Sequence, residues 1–135
     1  MHALQPLVGE WTIEVPFASG HGTLSFQWLK GEQFLIQQWT VPVPEAPDGI
    51  AIIGPDGDAY VQHYLDSRGV QRIYGLTLED RVLRLWRDAA SADDFSQRYS
   101  GTISDEGSRI DGVWEIAEDG VTWRKDFDIT YRRVG

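Results

Sequence analysis

The feature that most constrains this chain is the alternation across residues 122–134. Trp123, Lys125, Phe127, Ile129, Tyr131 and Arg133 fall at one parity, and Arg124, Asp126, Asp128, Thr130 and Arg132 at the other. Successive side chains of a β-strand point to opposite faces, so a period of two predicts a half-buried strand and excludes a helix. The run is about twice the mean strand of about 5–6 residues, which suits a tilted strand in a closed sheet. Such a last strand pairs with the first and closes an antiparallel barrel.

Shorter runs of the same kind precede it. Residues 9–15 set Trp11, Ile13 and Val15 against Glu10, Thr12 and Glu14, and residues 23–28 set Leu24, Phe26 and Trp28 against Thr23, Ser25 and Gln27. Further strands are expected at 34–41, 50–54, 60–65, 70–78, 82–87, 95–104 and 110–117. The connections are short and polar: Pro55-Asp56-Gly57-Asp58, Asp66-Ser67-Arg68-Gly69 and Asp105-Glu106-Gly107-Ser108 all carry turn chemistry, with glycine available for a positive φ. Residues 42–49 hold three prolines and so cannot form a central strand; they are either a rim over a pocket or a connector. Residues 2–8 suffice for one helical turn that plugs a barrel end. The expectation is an all-β chain: one domain over 1–135, an antiparallel up-and-down β-barrel of about ten strands with a short N-terminal helical turn.

Charge and composition narrow the function classes. A net charge of −9 repels a nucleic-acid backbone. Residues 1–67 hold one base, Lys30, against eight acids, whereas residues 68–135 hold eleven bases against thirteen acids, so the later bases lie largely inside strands. With no Cys, disulfides and thiolate metal sites are excluded, and with no Asn, N-glycosylation is too. No apolar run approaches the ~20 residues of a membrane helix, and the N-terminus lacks a signal-peptide pattern. A cytoplasmic protein that does not bind membranes is the simplest expectation.

A barrel of about eight strands already encloses room for a small ligand, so ten should leave a hollow that side chains do not fill. The alternative is two sheets packed over a dry core. In the barrel, Trp28, Trp39, Tyr74, Trp86, Tyr99, Trp114 and Phe127 are the expected apolar wall, of which about half should face inward. Bases share apolar faces at three places: Arg72 with Val70 and Tyr74, Arg84 with Val82 and Trp86, and Lys125 with Trp123 and Phe127. A cation inside a barrel is costly unless paired, either by an internal carboxylate or by an anionic ligand. Arg72 and Lys125 are therefore the expected partners of a ligand's polar end, while Arg84 competes with Leu83 and Leu85 for the inside.

Catalytic machinery is not legible. No Gly-x-Ser-x-Gly elbow occurs, and Asp126 and Asp128 alternate onto a face with Thr130 and Arg132 that reads as solvated. His2, His21 and His63 are dispersed, a weak pattern for a metal. His63, between Val61 and Leu65, is the one histidine within an expected strand and the one candidate to meet a ligand.

Leu7-Val8-Gly9-Glu10-Trp11 resembles the Gly-x-Trp signature that opens calycin barrels, the lipocalins, fatty-acid-binding proteins and their relatives. The resemblance implies that Trp11 packs at the closed end beneath a basic residue of the last strand, Arg133 or alternatively Arg132. Tyr64-Leu65-Asp66-Ser67-Arg68-Gly69-Val70, Phe95-Ser96-Gln97-Arg98 and Asp126-Phe127-Asp128-Ile129-Thr130-Tyr131 look like an uncharacterised bacterial family of calycin-like proteins. The barrel, its expected hollow and the bases on its apolar faces make the expected function that of holding a small apolar molecule, neutral or anionic, with no cofactor. Two alternatives stand beside it: haem binding or isomerisation, which the likeness to the nitrobindins implies, with His63 as axial ligand in place of their C-terminal histidine; and a cyclase-type enzyme that works by cavity shape. The rim of such a barrel also offers a homodimer contact.

Overall fold

The computed structural model describes residues 3–91 and 93–134. A single 3-10 turn, η1 (Gln5–Leu7), precedes ten strands: β1 (Gly9–Glu14), β2 (Gly22–Trp28), β3 (Leu35–Thr40), β4 (Gly49–Asp56), β5 (Ala59–Asp66), β6 (Gln71–Glu79), β7 (Val82–Arg87), β8 (Ser96–Ile103), β9 (Arg109–Ala117) and β10 (Arg124–Arg133). Every strand pairs antiparallel with its neighbours in sequence, and β1 pairs with β10, so the sheet is a closed barrel with no free edge. Closure runs through Trp11↔Arg133, Thr12↔Arg132, Ile13↔Tyr131 and Glu14↔Thr130. The expected up-and-down barrel, with the chain's two ends side by side, is the observed one. Among the described residues no helix is long and apolar enough to cross a membrane.

Two expected boundaries shift by two residues, the others by at most one. β4 runs on through Pro55 to Asp56 instead of stopping at Gly54, and the turn shrinks to residues 57–58. Pro55 is tolerated because β4 has no partner in β3 beyond Ile53, so the missing N–H falls at an edge-like position. β10 starts at Arg124, not Thr122, and its register slips between Lys125 and Phe127. That bulge breaks the alternation at one point: Phe127 keeps the inward parity, whereas Lys125 turns out beside Glu115.

An up-and-down barrel sends odd- and even-numbered connections to opposite ends. At one end lie η1 and the tight turns, including 57–58 and 80–81. Leu7 of η1 and Leu4 just before it, with Trp11, Phe26, Leu35, Ile53, Leu76, Ile103 and Ile110, fill that end with buried apolar side chains. At the other lie the longer connections 15–21, 41–48 and 88–95 together with 67–70 and 118–123. The barrel is therefore plugged below and open above.

Candidate functional site

Between the plug and the open end lies a cavity of about 400 Å³. That is near the lower end of the range of about 300–1,000 Å³ typical of small-molecule pockets. Its floor is aliphatic, from Leu7, Leu24, Leu76, Leu83 and Ile129. Around its middle runs a chain of rings: Trp39 stacks on Tyr64 at 5.3 Å, Tyr64 meets Tyr74 at 6.0 Å, Tyr74 meets Trp114 at 5.9 Å, and Trp114 meets Tyr99 at 5.2 Å. Tyr74 on β6 and Trp114 on β9 are separated by two strands, so their edge contact spans the lumen.

The mouth is built by the loops of the open end. Phe17 of loop 15–21 meets Phe127 edge-on at 5.5 Å, and Val41, Ala46 and Pro47 of loop 41–48 line the opening. The latter loop is held down at its far end. The Trp39 indole N–H donates to the Pro47 carbonyl, Val41 N–H donates to the Asp48 carboxylate, and Asp48 and Ser67 bond reciprocally through Asp48 N–H to Ser67 Oγ and Ser67 N–H to Asp48 O.

Polar groups gather on one side of the mouth. The Tyr64 hydroxyl donates to Asp66 Oδ2 at 2.6 Å, Arg68 donates to the same oxygen from Nη2 at 2.6 Å, and Asp66 Oδ1 accepts the amide N–H of Arg68 and of Val70. The Asp66 side chain has no solvent exposure. Burial alone would raise its pKa, yet the Arg68 guanidinium, the Tyr64 hydroxyl and the two amides together hold it well below the usual carboxylate range. The same burial, reinforced by the hydrogen bond to Asp66, pushes the Tyr64 phenol well up. Asp66 is thus fully engaged in the β5–β6 turn, and Arg68 is engaged with it.

Arg72 is not. Its guanidinium lies 5.1 Å from the Phe95 ring centre and 5.8 Å from that of Tyr64, and among the described residues no carboxylate stands within ion-pair distance of it. It is half-buried, lines the cavity, and sits two residues from Tyr74, whose hydroxyl donates to Gln97 Oε1 at 2.6 Å. Burial raises the Tyr74 pKa, with Arg72 pulling the other way. Nearby, Gln62 donates to Gln37 at 2.7 Å inside the lumen. Arg87 also stacks against Phe95 but is paired with Asp94 at 2.7 Å. Asp126, in the bulge, places a carboxylate on the mouth four strands away from Arg72.

Of the residues singled out in the sequence, Trp39, Arg72, Tyr74, Tyr99, Trp114 and Phe127 come together around this cavity. Trp28, His63, Trp86 and Lys125 do not. Trp28 packs on the core beside the plug and donates its indole N–H to Gln5 Oε1 at 3.0 Å. Trp86 lies on the outer wall over Gly75, where a Cβ would overlap the indole. Lys125 is turned out by the bulge and pairs with Asp128 at 3.0 Å. His63 is exposed on the outer wall between Ile52 and Ile73, in a shallow depression that shares Tyr64 and Arg72 with the cavity. Arg84 is also outside, Leu83 and Leu85 having taken the inward parity.

Among the described residues no histidine lines the cavity as the axial ligand that a nitrobindin resemblance implies. Neither His63 nor His21, which lies in loop 15–21 beside Glu14, lines the cavity, and His2 is outside the described residues. Among the described residues no group of three or more His, Cys, Asp or Glu is arranged to hold a metal ion. Tyr64, Gln37, Gln62, Gln97, Phe95, Tyr131 and Arg68 also line the cavity without having been singled out as ligand contacts. Tyr64 and Gln62 were within reach of period-two reading, since Gln62 shares the inward parity of Tyr60 and Tyr64. Gln97 and Phe95 were within the same reach, since both share the parity of Tyr99 in the expected strand 95–104. The chain matches no known protein family, and no curated protein is found to be similar to it.

Proposed function

We propose that this protein is a calycin-type binding protein that holds one small, mainly apolar molecule with an anionic end inside its barrel. The observation that carries the reading is Arg72: a half-buried cation on the wall of an aromatic cavity, with no carboxylate partner among the described residues. A cation in that position is unfavourable unless an anion reaches it, and an anionic ligand group is the partner that the fold leaves room for. The aromatic band supplies apolar contact for the body of the ligand, and the Tyr74–Gln97 pair offers polar groups beside its head. The Gly-x-Trp resemblance and the barrel architecture support the same reading.

Native mass spectrometry of freshly purified protein, together with titration by anilinonaphthalene sulfonate, tests it. A co-purified adduct or saturable one-to-one enhancement of the dye's fluorescence is expected, weakened by Arg72→Gln. Neither an adduct nor stoichiometric dye binding would remove the basis for a binding role.

A further inference from the structure

Below Arg72 the lumen wall carries a pair of amides. Gln62 on β5 is 5% exposed, and its Nε2 donates to Oε1 of Gln37 on β3 at 2.7 Å. The two side chains meet across β4 at Ala51, the strand partner of Gln37, whose methyl group leaves room for them. Neither amide makes another hydrogen bond to a described residue, and both line the cavity. Among the described residues the single buried side-chain polar atom without a partner is the Tyr99 hydroxyl, so the unused atoms of the two amides are not sealed in the wall but open to the lumen. The pair therefore presents an acceptor, Gln62 Oε1, beside a donor, Gln37 Nε2. Turning both amides over exchanges these roles and leaves the same complement.

Strand register sets the order of these groups along the barrel axis. Arg72 pairs with Tyr64, and Tyr74 with Gln62, so Gln62 lies one inward position, about 7 Å, deeper than Arg72 on the neighbouring strand. Diagonal neighbours of this kind lie about 7–8 Å apart, close enough for side chains as long as Arg and Gln to reach one small head group. One inward position deeper again is Leu76, part of the aliphatic floor. From mouth to floor a ligand therefore meets a guanidinium, then an amide pair, then apolar surface.

On the reading of this barrel as a protein that binds apolar anions, we propose that its ligand carries a secondary amide beside its carboxylate, the arrangement of an N-acyl amino acid. The carboxylate meets Arg72. The ligand's amide N–H donates to one glutamine of the pair, its carbonyl accepts from the other, and its acyl chain runs to the floor. A plain fatty acid would set methylene groups against the two glutamines and leave their open atoms unpaired, which is unfavourable away from water.

Three acids of equal chain length separate these contacts: N-octanoylglycine, octanoyloxyacetic acid, in which an ester oxygen replaces the amide N–H, and undecanoic acid. Titration calorimetry with ligand-stripped protein should show the amide binding about three- to tenfold tighter than the ester, the worth of one net hydrogen bond. Gln37→Leu with Gln62→Leu removes both amides together, leaves no half-paired group, and should bring that ratio to about one. The comparison in the unaltered protein stands whether or not the double variant folds. Arg72→Gln should weaken all three acids by a similar factor, and acids that bind it as tightly as the parent overturn the placement of the carboxylate. An ester bound as tightly as the amide, a ratio that survives the double Leu change, or binding of undecanoic acid alone overturns the amide contact while the binding role stands. No binding by any of the three overturns both.

Discussion

Arg133 lays its guanidinium 4.1 Å from the centre of the Trp11 ring, at the point where the last strand meets the first. The same side chain donates to the carbonyls of Val8 and Pro6 at 2.7 Å and of Gly107 at 3.0 Å. One residue thus joins the plug, the first strand and the β8–β9 turn. Gly9 makes this possible: its φ is 132°, and a Cβ there would collide with the guanidinium. The glycine and tryptophan of Gly-x-Trp are two parts of one socket for an arginine.

Arg133→Ala should therefore destabilise by about 2–4 kcal/mol, from lost charge-assisted hydrogen bonds and the cation–π contact. Gly9→Ala should cost a comparable amount through backbone strain and displacement of the guanidinium. Urea unfolding midpoints check both. Arg133→Lys should recover less than half of the loss, because one ammonium cannot serve three separate carbonyls and a ring face. Full recovery by Lys would mean that charge alone matters at this position.

The turn at residues 80–81 joins β6 to β7 with two non-glycine residues in the left-handed region, Asp80 at φ 52° and Arg81 at φ 64°. Two-residue hairpins favour this mirror-image turn, and glycine is the residue that adopts it without steric cost. Arg81 also pairs with Asp105, a contact between exposed groups and so of small value. Arg81→Gly should raise the thermal midpoint, with a net gain of about 0.5–1 kcal/mol once the lost ion pair is subtracted. A fall in the midpoint would show that the Arg81–Asp105 pair outweighs the backbone relief.

Period-two reading found all ten strands and the pairing of the chain's ends, because one wet and one buried face leave a strong mark on β1, β2 and β10. It located six of the cavity residues for the same reason. It was weakest where both faces of a strand are apolar. On β5, Val61 and Leu65 line the outer wall while Tyr60 and Tyr64 face in, so grouping His63 with Val61 and Leu65 was right but did not say which side was inside. On β7 the same ambiguity was resolved in favour of Leu83 and Leu85, leaving Trp86 to cover Gly75 from outside. Lys125 was misplaced for a different reason. A bulge inserts one residue without altering the composition around it, and it reverses the parity of whatever precedes it.

Acid and alkaline stability should both bear the imprint of the mouth and the floor. The folded-state pKa of Asp66 is depressed below its unfolded value of about 3.9, so its contribution is present above that value and is lost as the pH falls. Asp66→Asn should destabilise at neutral pH and flatten the decline in stability below about pH 5. The phenols of Tyr64, Tyr74, Tyr99 and Tyr131 are all raised, chiefly by burial. A raised folded pKa means stability that is complete below the unfolded value of about 10 and lost above it. Tyrosinate absorbance from these four should therefore appear together with loss of the folded circular dichroism signal. Their ionisation in an intact barrel would contradict the burial assigned to them.

Arg72 and Arg133 are both half-buried, line opposite ends of one barrel and stack on aromatic rings, yet their removal should have opposite consequences. Arg133 gives hydrogen bonds to three backbone carbonyls. Arg72 has the Tyr74 hydroxyl beside it and the faces of Phe95 and Tyr64, the faces worth about 0.5–1 kcal/mol each at a partly exposed site, set against the cost of holding a cation on an apolar wall. Arg72→Met keeps the aliphatic bulk and removes the charge. In ligand-stripped protein it should leave the urea midpoint within about 1 kcal/mol of the parent, on either side. In the same preparation it should lower affinity for an anionic dye severalfold while sparing a neutral one. A variant that unfolds readily but binds anions as before would make Arg72 a structural residue like Arg133, and the anion would then have to be held elsewhere.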